Sequence, residues 1–310
     1  MLDWMAQGRV GIANRMSDGG IQILVHIPKT AGSTLVQVMQ RQFRPDEVLS
    51  YEDWMWAVNI AGFPERAAAG LPGIRCVMGH LPFGVHAAVD RPVEYLTMLR
   101  DPVEWTLSMY SFIKERIERL PDDGSYPQRV AFAEVLRMSL DEFIDFLART
   151  SMANLQTRYL SGHLDLRNPL PPFKPLPPQA LAQAEKALFN AHTTFGLTEQ
   201  FDLSLLLFQR RLGWRNIHYR RVNVTGRRLT RAQVPEATLA RIRDMQQVDV
   251  QLYATAQQRF VRVLEQAGLD RPDVLKRFRT INAGYGLLQS GAERLMRLGR
   301  KTLRATGLKR

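Results

Sequence analysis

The residues best suited to chemistry lie between Ile21 and Phe43, in the stretch IQILVHIPKTAGSTLVQVMQRQF. Its centre, Lys29-Thr30-Ala31-Gly32-Ser33-Thr34, is small and polar with one lysine. That set suits an anionic group. Lys29 supplies a full positive charge, Gly32 lets the backbone come close, and Ser33 and Thr34 can donate hydroxyl hydrogen bonds. The elements that must position them flank the loop. Ile21 to Ile27 is an apolar, β-branched run of the length of one buried strand, ended by Pro28. Leu35 to Phe43 carries apolar residues at 35, 36, 38, 39 and 43, as a helix with one buried face does. The loop therefore opens a helix, where backbone N–H groups lack intrahelical partners and the dipole is positive. The ATP-type loop G-x-x-x-x-G-K-[ST] is a different arrangement, because here the lysine precedes the glycine by three residues.

Further strands are expected from Ile74 to Met78, from Glu94 to Leu99 and from Thr193 to Leu197. The stretch from Glu94 runs straight into Arg100-Asp101-Pro102, where Asp101 suits an N-cap and Pro102 the first position of a helix reaching about Arg119. Ser139 with Glu142 forms a capping box ahead of Phe143, Ile144, Phe146 and Leu147. Other helices are expected from Glu52 to Ala69, Met152 to Leu160, Gln179 to Ala191, Asp202 to Leu212 and Pro235 to Leu264. Asn168 to Pro178, with six prolines, reads as an extended surface connection. Strands alternating with helices predict an α/β protein: a P-loop-like three-layer fold whose central, mainly parallel sheet is flanked by helices, with a helical C-terminal region. A flexible lead-in (1–20), one domain (21–282) and a basic amphipathic C-terminal tail (283–310) complete the expected organisation.

HIPKTAGST resembles the 5′-phosphosulfate loop of sulfotransferases, which take sulfate from 3′-phosphoadenosine 5′-phosphosulfate (PAPS). Such an enzyme must also hold a 3′-phosphate, and LRDPVEWTLSMYSF looks like the family's second motif, Arg-Asp-Pro with a Ser eight residues after the Arg. The resemblance assigns that role to Arg100 and Ser108, with Thr106 and Ser111 as alternatives on the same helix. Many relatives carry Arg where Trp105 stands. The likeness is closest to the branch of heparan sulfate 2-O- and 6-O-sulfotransferases and their bacterial relatives. NLQTRYLSG (154–162), FGLTEQFDLSL (195–205) and NVTGRR (223–228) resemble its later blocks, so it spans roughly residues 21 to 265.

The resemblance implies in-line transfer of a sulfuryl group from PAPS to a hydroxyl of an acceptor, expected to be a saccharide. A base must take the acceptor proton and donors must stabilise the leaving phosphate. Histidine is the natural base near neutral pH. His80, in Met78-Gly79-His80-Leu81-Pro82-Phe83, follows a strand and so emerges at the sheet edge where ligands of open α/β sheets bind. It also matches a Gly-His segment that bears the base in the related branch. His86 is the runner-up, His26 reads as a packing residue within its strand, and His163, His192 and His218 as surface or packing histidines. Lys29 would hold the bridging oxygen and leaving phosphate, with Thr30, Ala31, Gly32, Ser33 and Thr34 around the remaining oxygens. Thr225, Arg227 and Arg228 could close over the 3′-phosphate or adenine, and Gln156 and Arg158 could contact the acceptor. The scheme requires no metal.

The net charge of +12 calls for an anionic partner without choosing one. Residues 290–310 hold seven Lys/Arg and one Glu, with leucines among them, which suits contact with an anionic membrane or a solvated tail. The single cysteine, Cys76, lies in an apolar run and allows no intrachain disulfide. No apolar run reaches the length of a membrane span, and the N-terminus lacks the pattern of a signal peptide, so a cytoplasmic protein is expected, with the tail at the inner membrane face as an option. Two rivals remain on the residues alone. One is a P-loop kinase or NTPase, disfavoured by the displaced lysine. The other is a basic nucleic-acid or membrane-binding module, which lacks the interleaved aromatic and basic strand motif of RNA binders; nucleic acid is not an expected partner.

Overall fold

In the computed structural model the described residues are 20–51, 63–126, 129–130, 132–164, 173–220 and 228–287. Five parallel strands form one sheet in the order β2-β3-β1-β4-β5. They are β1 (Ile21–Val25), β2 (Val48–Tyr51), β3 (Cys76–Gly79), β4 (Val93–Leu99) and β5 (Thr193–Leu197). β1 is central and buried along its whole length, which is why its sequence reads as an unbroken apolar run rather than an alternation. Its side chains nevertheless divide by face. Ile21, Ile23 and Val25 enter one core cluster, and Leu24 the other.

Each cluster is closed by helices, giving the expected three layers. On one face lie α1 (Gly32–Gln40) and α7 (Phe201–Leu212), through Leu35, Met39, Leu205 and Phe208. The other face receives α3 (Pro102–Phe112), α4 (Leu140–Ala148), α5 (Leu155–Ser161), α6 (Ala180–Leu188) and α9 (Gln247–Gln266). A short α2 (Phe63–Ala68) precedes β3, and α8 (Glu236–Met245) packs on α3 and α4 through Leu239 and Ile242. No helix among the described residues is long and apolar enough to cross a membrane.

Several boundaries differ from the sequence reading. β2 was not expected. The run from Pro235 to Leu264 is two helices that meet at Gln246, whose φ of −100° and ψ of 24° break the helix. α3 gives way at Ile113–Ile117 to a π-helical turn. The segment from Glu52 onward is helical over Phe63–Ala68, while 52–62 lies outside the described residues, as do most of the lead-in (1–19), residues 168–172 of the proline-rich connection and 288–310 of the tail. A helix over residues 272–287 (α10) crosses the expected boundary at 282 without a break. It is docked by Phe278 in the core and by Asn282, whose side-chain oxygen accepts from the Tyr219 N–H at 2.7 Å.

A buried polar joint ties the C-terminal helices to the sheet edge. The Asp249 carboxylate accepts from the N–H groups of Gln156 and Thr157 and from the Thr157 hydroxyl, at 3.1, 2.8 and 2.6 Å, and so caps α5 from α9. In return the Asn154 side chain accepts from the N–H groups of Val248 and Asp249 at 3.0 and 3.1 Å, capping α9 from the foot of α5. Burial pushes the Asp249 carboxyl up, and the donors at the α5 N-terminus oppose it. Replacing the carboxylate leaves those buried donors unmatched, at about 1–3 kcal/mol each before relaxation. Asp249→Ala is therefore expected to lower unfolding free energy by roughly 3 kcal/mol in urea titration; a loss under about 1 kcal/mol would show that the joint contributes little.

Candidate active site

β1 and β4 are neighbours whose onward connections leave in opposite directions, toward β2 and toward β5. That is the point of an open α/β sheet where ligands bind, outside the carboxyl ends of the strands. A cleft of about 710 Å³ lies there, lined by residues that follow β1, β3, β4 and β5. Its volume is in the range of small-molecule sites.

The loop after β1 forms its floor. Three successive carbonyl oxygens of this loop are occupied by side chains. Thr30 Oγ1 donates to Ile27 O at 2.8 Å, Trp105 Nε1 to Pro28 O at 2.8 Å, and Arg100 Nη1 to Lys29 O at 2.8 Å. Lys29 and Ala31 are held at φ of 66° and 65°, the left-handed region that non-glycine residues enter at a cost of about 1–3 kcal/mol. Gly32 starts α1, where a Cβ would sit 1.9 Å from the His26 ring. Ala31 at the N-cap offers no side-chain cap, and the first turn of α1 has no acidic residue, so among the described residues its positive end suits an anion. Lys29, Ala31, Gly32, Ser33 and Thr34 line the cleft; Thr30 does not, because its hydroxyl is folded back onto Ile27.

Arg100 and Ser108 face the same cleft from the β4–α3 junction. Asp101 caps α3, accepting from the N–H groups of Val103 and Glu104 at 2.9 and 3.0 Å. The backbone of Arg100 is clamped at both ends by the Gln156 amide, which accepts from Arg100 N and donates to Arg100 O, each at 2.9 Å. The buried Arg100 Nε has no hydrogen-bond partner among the described residues. The hydroxyls of Thr106 and Ser111, the alternatives to Ser108, are spent on the carbonyls of Pro102 and Leu107. Arg228 also reaches the cleft, while Thr225 and Arg227 lie outside the described residues. Gln156 and Arg158, expected at the acceptor, do not line it. Gln156 is occupied by Arg100, and the buried Arg158 donates to the carbonyls of Ala153 and Lys174 at 3.0 and 2.6 Å.

His80 lines the cleft across from these groups, and His86 does not: the exposed His86 ring is engaged with the Tyr95 hydroxyl at 2.9 Å. His80 Nδ1 lies 2.7 Å from His26 O. A carbonyl only accepts, so Nδ1 carries the proton and, in the neutral ring, Nε2 carries the lone pair a base needs. His26 packs against His80, with ring centroids 4.5 Å apart, and it too lines the cleft. Sequence reasoning missed Arg116, Arg231, Glu104 and Glu199. The first is delivered by the π-helical turn, and such turns recur at functional sites. The last accepts from Asp101 N at 3.1 Å and from the Tyr253 hydroxyl at 2.5 Å.

Lys29 Nζ rests 3.8 Å from the centre of the Phe112 ring. Burial, then the charges of Arg100, Arg116 and Arg228, bring its pKa down from 10.5 to about 7. Burial and the neighbouring Arg228 likewise lower Arg100, to about 10. The cleft thus carries more positive than negative side chains, an arrangement that would favour an incoming anion.

The chain matches no model of a known protein family, and it matches no curated protein.

Two outcomes follow from this geometry. Gly32→Ala puts a methyl group into the His26 ring and is expected to cost at least about 2 kcal/mol of stability, read by denaturant unfolding; a neutral effect would show that the ring moves freely. Lys29→Met should be more stable than the parent at about pH 6 by on the order of 1–3 kcal/mol, because it removes a buried charge. The folded-state pKa lies below the unfolded one, so the unfolded chain binds more protons between about 7 and 10.5 and parental stability climbs through that window. The advantage of Lys29→Met must therefore shrink as pH rises. A difference that does not vary with pH would place the Lys29 charge in water.

Proposed function

We propose that the protein is a PAPS-dependent sulfotransferase that transfers a sulfuryl group to a hydroxyl, with a saccharide as the acceptor class. The observation that carries this reading is the direct contact of the two anion-binding motifs. Arg100 donates to the backbone of Lys29 itself, so one nucleotide can reach both. Loop and residues fit the donor's two charged ends. The open N-terminus of α1 with Lys29 suits a 5′-phosphosulfate, and Arg100, with its unpartnered Nε, suits a 3′-phosphate beside Ser108 and Arg228. The donor, when bound, supplies an activated sulfuryl group.

The chain's own residues supply the rest. His80, with its Nδ1 proton fixed on His26 O, presents Nε2 to take the acceptor's hydroxyl proton. Lys29 leaves the Phe112 ring for the phosphate and is fully protonated beside it, which favours charge building up on the leaving oxygen. The N–H groups at the start of α1 add donors fixed in place before the reaction. On this reading the protein works in the cytoplasm.

The test is incubation with radiolabelled PAPS and a panel of glycans, lipids and small phenols, together with binding of adenosine 3′,5′-bisphosphate and of ATP with magnesium. Label transferred to a glycan and magnesium-independent binding of the bisphosphate are the expected results. Tight binding of ATP with magnesium and no transfer would favour a kinase or NTPase instead. His80→Ala should keep bisphosphate affinity and lose about 10²-fold or more in turnover, whereas Lys29→Ala should lose both binding and turnover. Full activity of His80→Ala would take the base role away from that residue.

A further inference from the structure

The first turn of α3 sets a carboxylate among arginines. Glu104 Oε2 accepts from Arg228 Nη2 and lies 3.9 Å from Arg100 Nη2, while Oε1 lies 3.9 Å from Arg231 Nε. All four side chains line the cleft. A pair of oxygens at the convergence of three guanidinium groups has the chemistry of a bound phosphate edge. Two of these approaches are longer than a hydrogen bond, so Glu104 does not saturate the cluster. Arg100 shows the shortfall: it is 7% exposed, its Nε has no hydrogen-bond partner among the described residues, and the charge of Arg228 helps lower its pKa.

We infer that Glu104 is an internal stand-in for phosphate. Without ligand it offsets the mutual repulsion of Arg100, Arg228 and Arg231. A phosphate entering the cleft competes with it for the same donors. Competition of this kind sets a threshold: a weakly charged anion gains too little to displace a tethered carboxylate, and a dianion gains enough. Under the function proposed above, the competing group is the nucleotide's 3′-phosphate; the competition itself requires only a phosphate.

The experiment compares the parent with Glu104→Gln, using inorganic phosphate at constant ionic strength as the probe and thermal unfolding and calorimetry as readouts. Gln keeps the size and one acceptor oxygen but removes the charge. Expected are a lower melting temperature without phosphate and, in the opposite sense, a half-saturating phosphate concentration about tenfold lower than the parent's. Weaker or unchanged phosphate binding in Glu104→Gln would make Glu104 a brace that holds the arginines in place and would overturn the inference, as would the absence of phosphate binding by both proteins. If Glu104→Gln does not fold, Glu104→Asp keeps an acid in the first helical turn and draws it back by one methylene; tighter phosphate binding is again expected, and weaker or unchanged binding again overturns the inference. Adenosine 3′,5′-bisphosphate measured alongside separates the two claims. A parent that binds inorganic phosphate in the stated way but ignores the bisphosphate would refute the proposed function and leave the role of Glu104 standing.

Discussion

The site depends on one constraint: the carbonyl oxygens of Ile27, Pro28 and Lys29 all point into the protein and are all occupied. A peptide unit has its N–H and C=O on opposite sides, so tying down the carbonyls of a short loop turns its N–H groups the other way. Two non-glycine residues in the left-handed region are what this turn costs, and the hydrogen bonds to Thr30, Trp105 and Arg100 offset it. Arg100 and Trp105 belong to the β4–α3 segment, so the loop acquires its shape only when β4 is paired beside β1. An anion-binding floor and a second anion-binding wall are therefore one structural event rather than two independent ones.

That coupling reaches further than the loop. Arg100 is fixed by the Gln156 amide, Gln156 opens α5, and α5 is capped by Asp249 of α9. The chain thus uses residues near position 250 to hold a side chain at position 100 that shapes a loop at position 29. Buried polar groups are poor sources of net stability, but a fully satisfied chain of them admits few alternative geometries. Here every link is between a side chain and a backbone group. Such links fix orientation with little added buried charge, Asp249 and Arg100 being the charged members.

This also explains what could be read from the sequence and what could not. β1, β4 and β5 are buried, mostly apolar or β-branched, and bounded by turn or cap residues, and each is legible within two residues. β2 is an edge strand of four residues, VLSY, with only two of them buried, and carries almost no periodic signal. The break at Gln246 is hidden because apolar spacing continues across it; its cause is tertiary, since Gln246 is drawn into contacts with Asn154 and Thr106. The placement of Lys29, Arg100, Ser108 and His80 around one cleft followed from strand ends lying on one edge of a parallel sheet. Gln156 and Arg158 lie apart from that cleft for a related reason. Their polarity suggested a ligand, whereas the groups they serve are backbone atoms brought near by the fold, and those cannot be seen in residue types. His26 sits one residue beyond β1 rather than within it, where the chain leaves the sheet beside the cleft.

The electrostatics of the cleft follow from the same arrangement. Lys29, Arg100, Arg116, Arg228 and Arg231 line one space; the last three are exposed to water, but the burial of Arg100 and the part-burial of Lys29 make their charges unfavourable there. Three devices make it tolerable. Lys29 rests on an aromatic face and gives up its proton readily, Arg100 donates to a carbonyl, and Glu104 and Asp101 at the first turn of α3 pair with Arg228 and Arg231. Of these, the Phe112 ring and the Glu104 carboxylate are partners that an anion of higher charge can outbid, whereas the bond from Arg100 to Lys29 O stays in place to hold the loop. Asp101 differs from Glu104 in this respect, because its Oδ1 also caps α3 and accepts from two backbone N–H groups, so withdrawing it would uncap the helix. Glu104 caps nothing and is therefore the carboxylate that can yield its arginines without disturbing the fold.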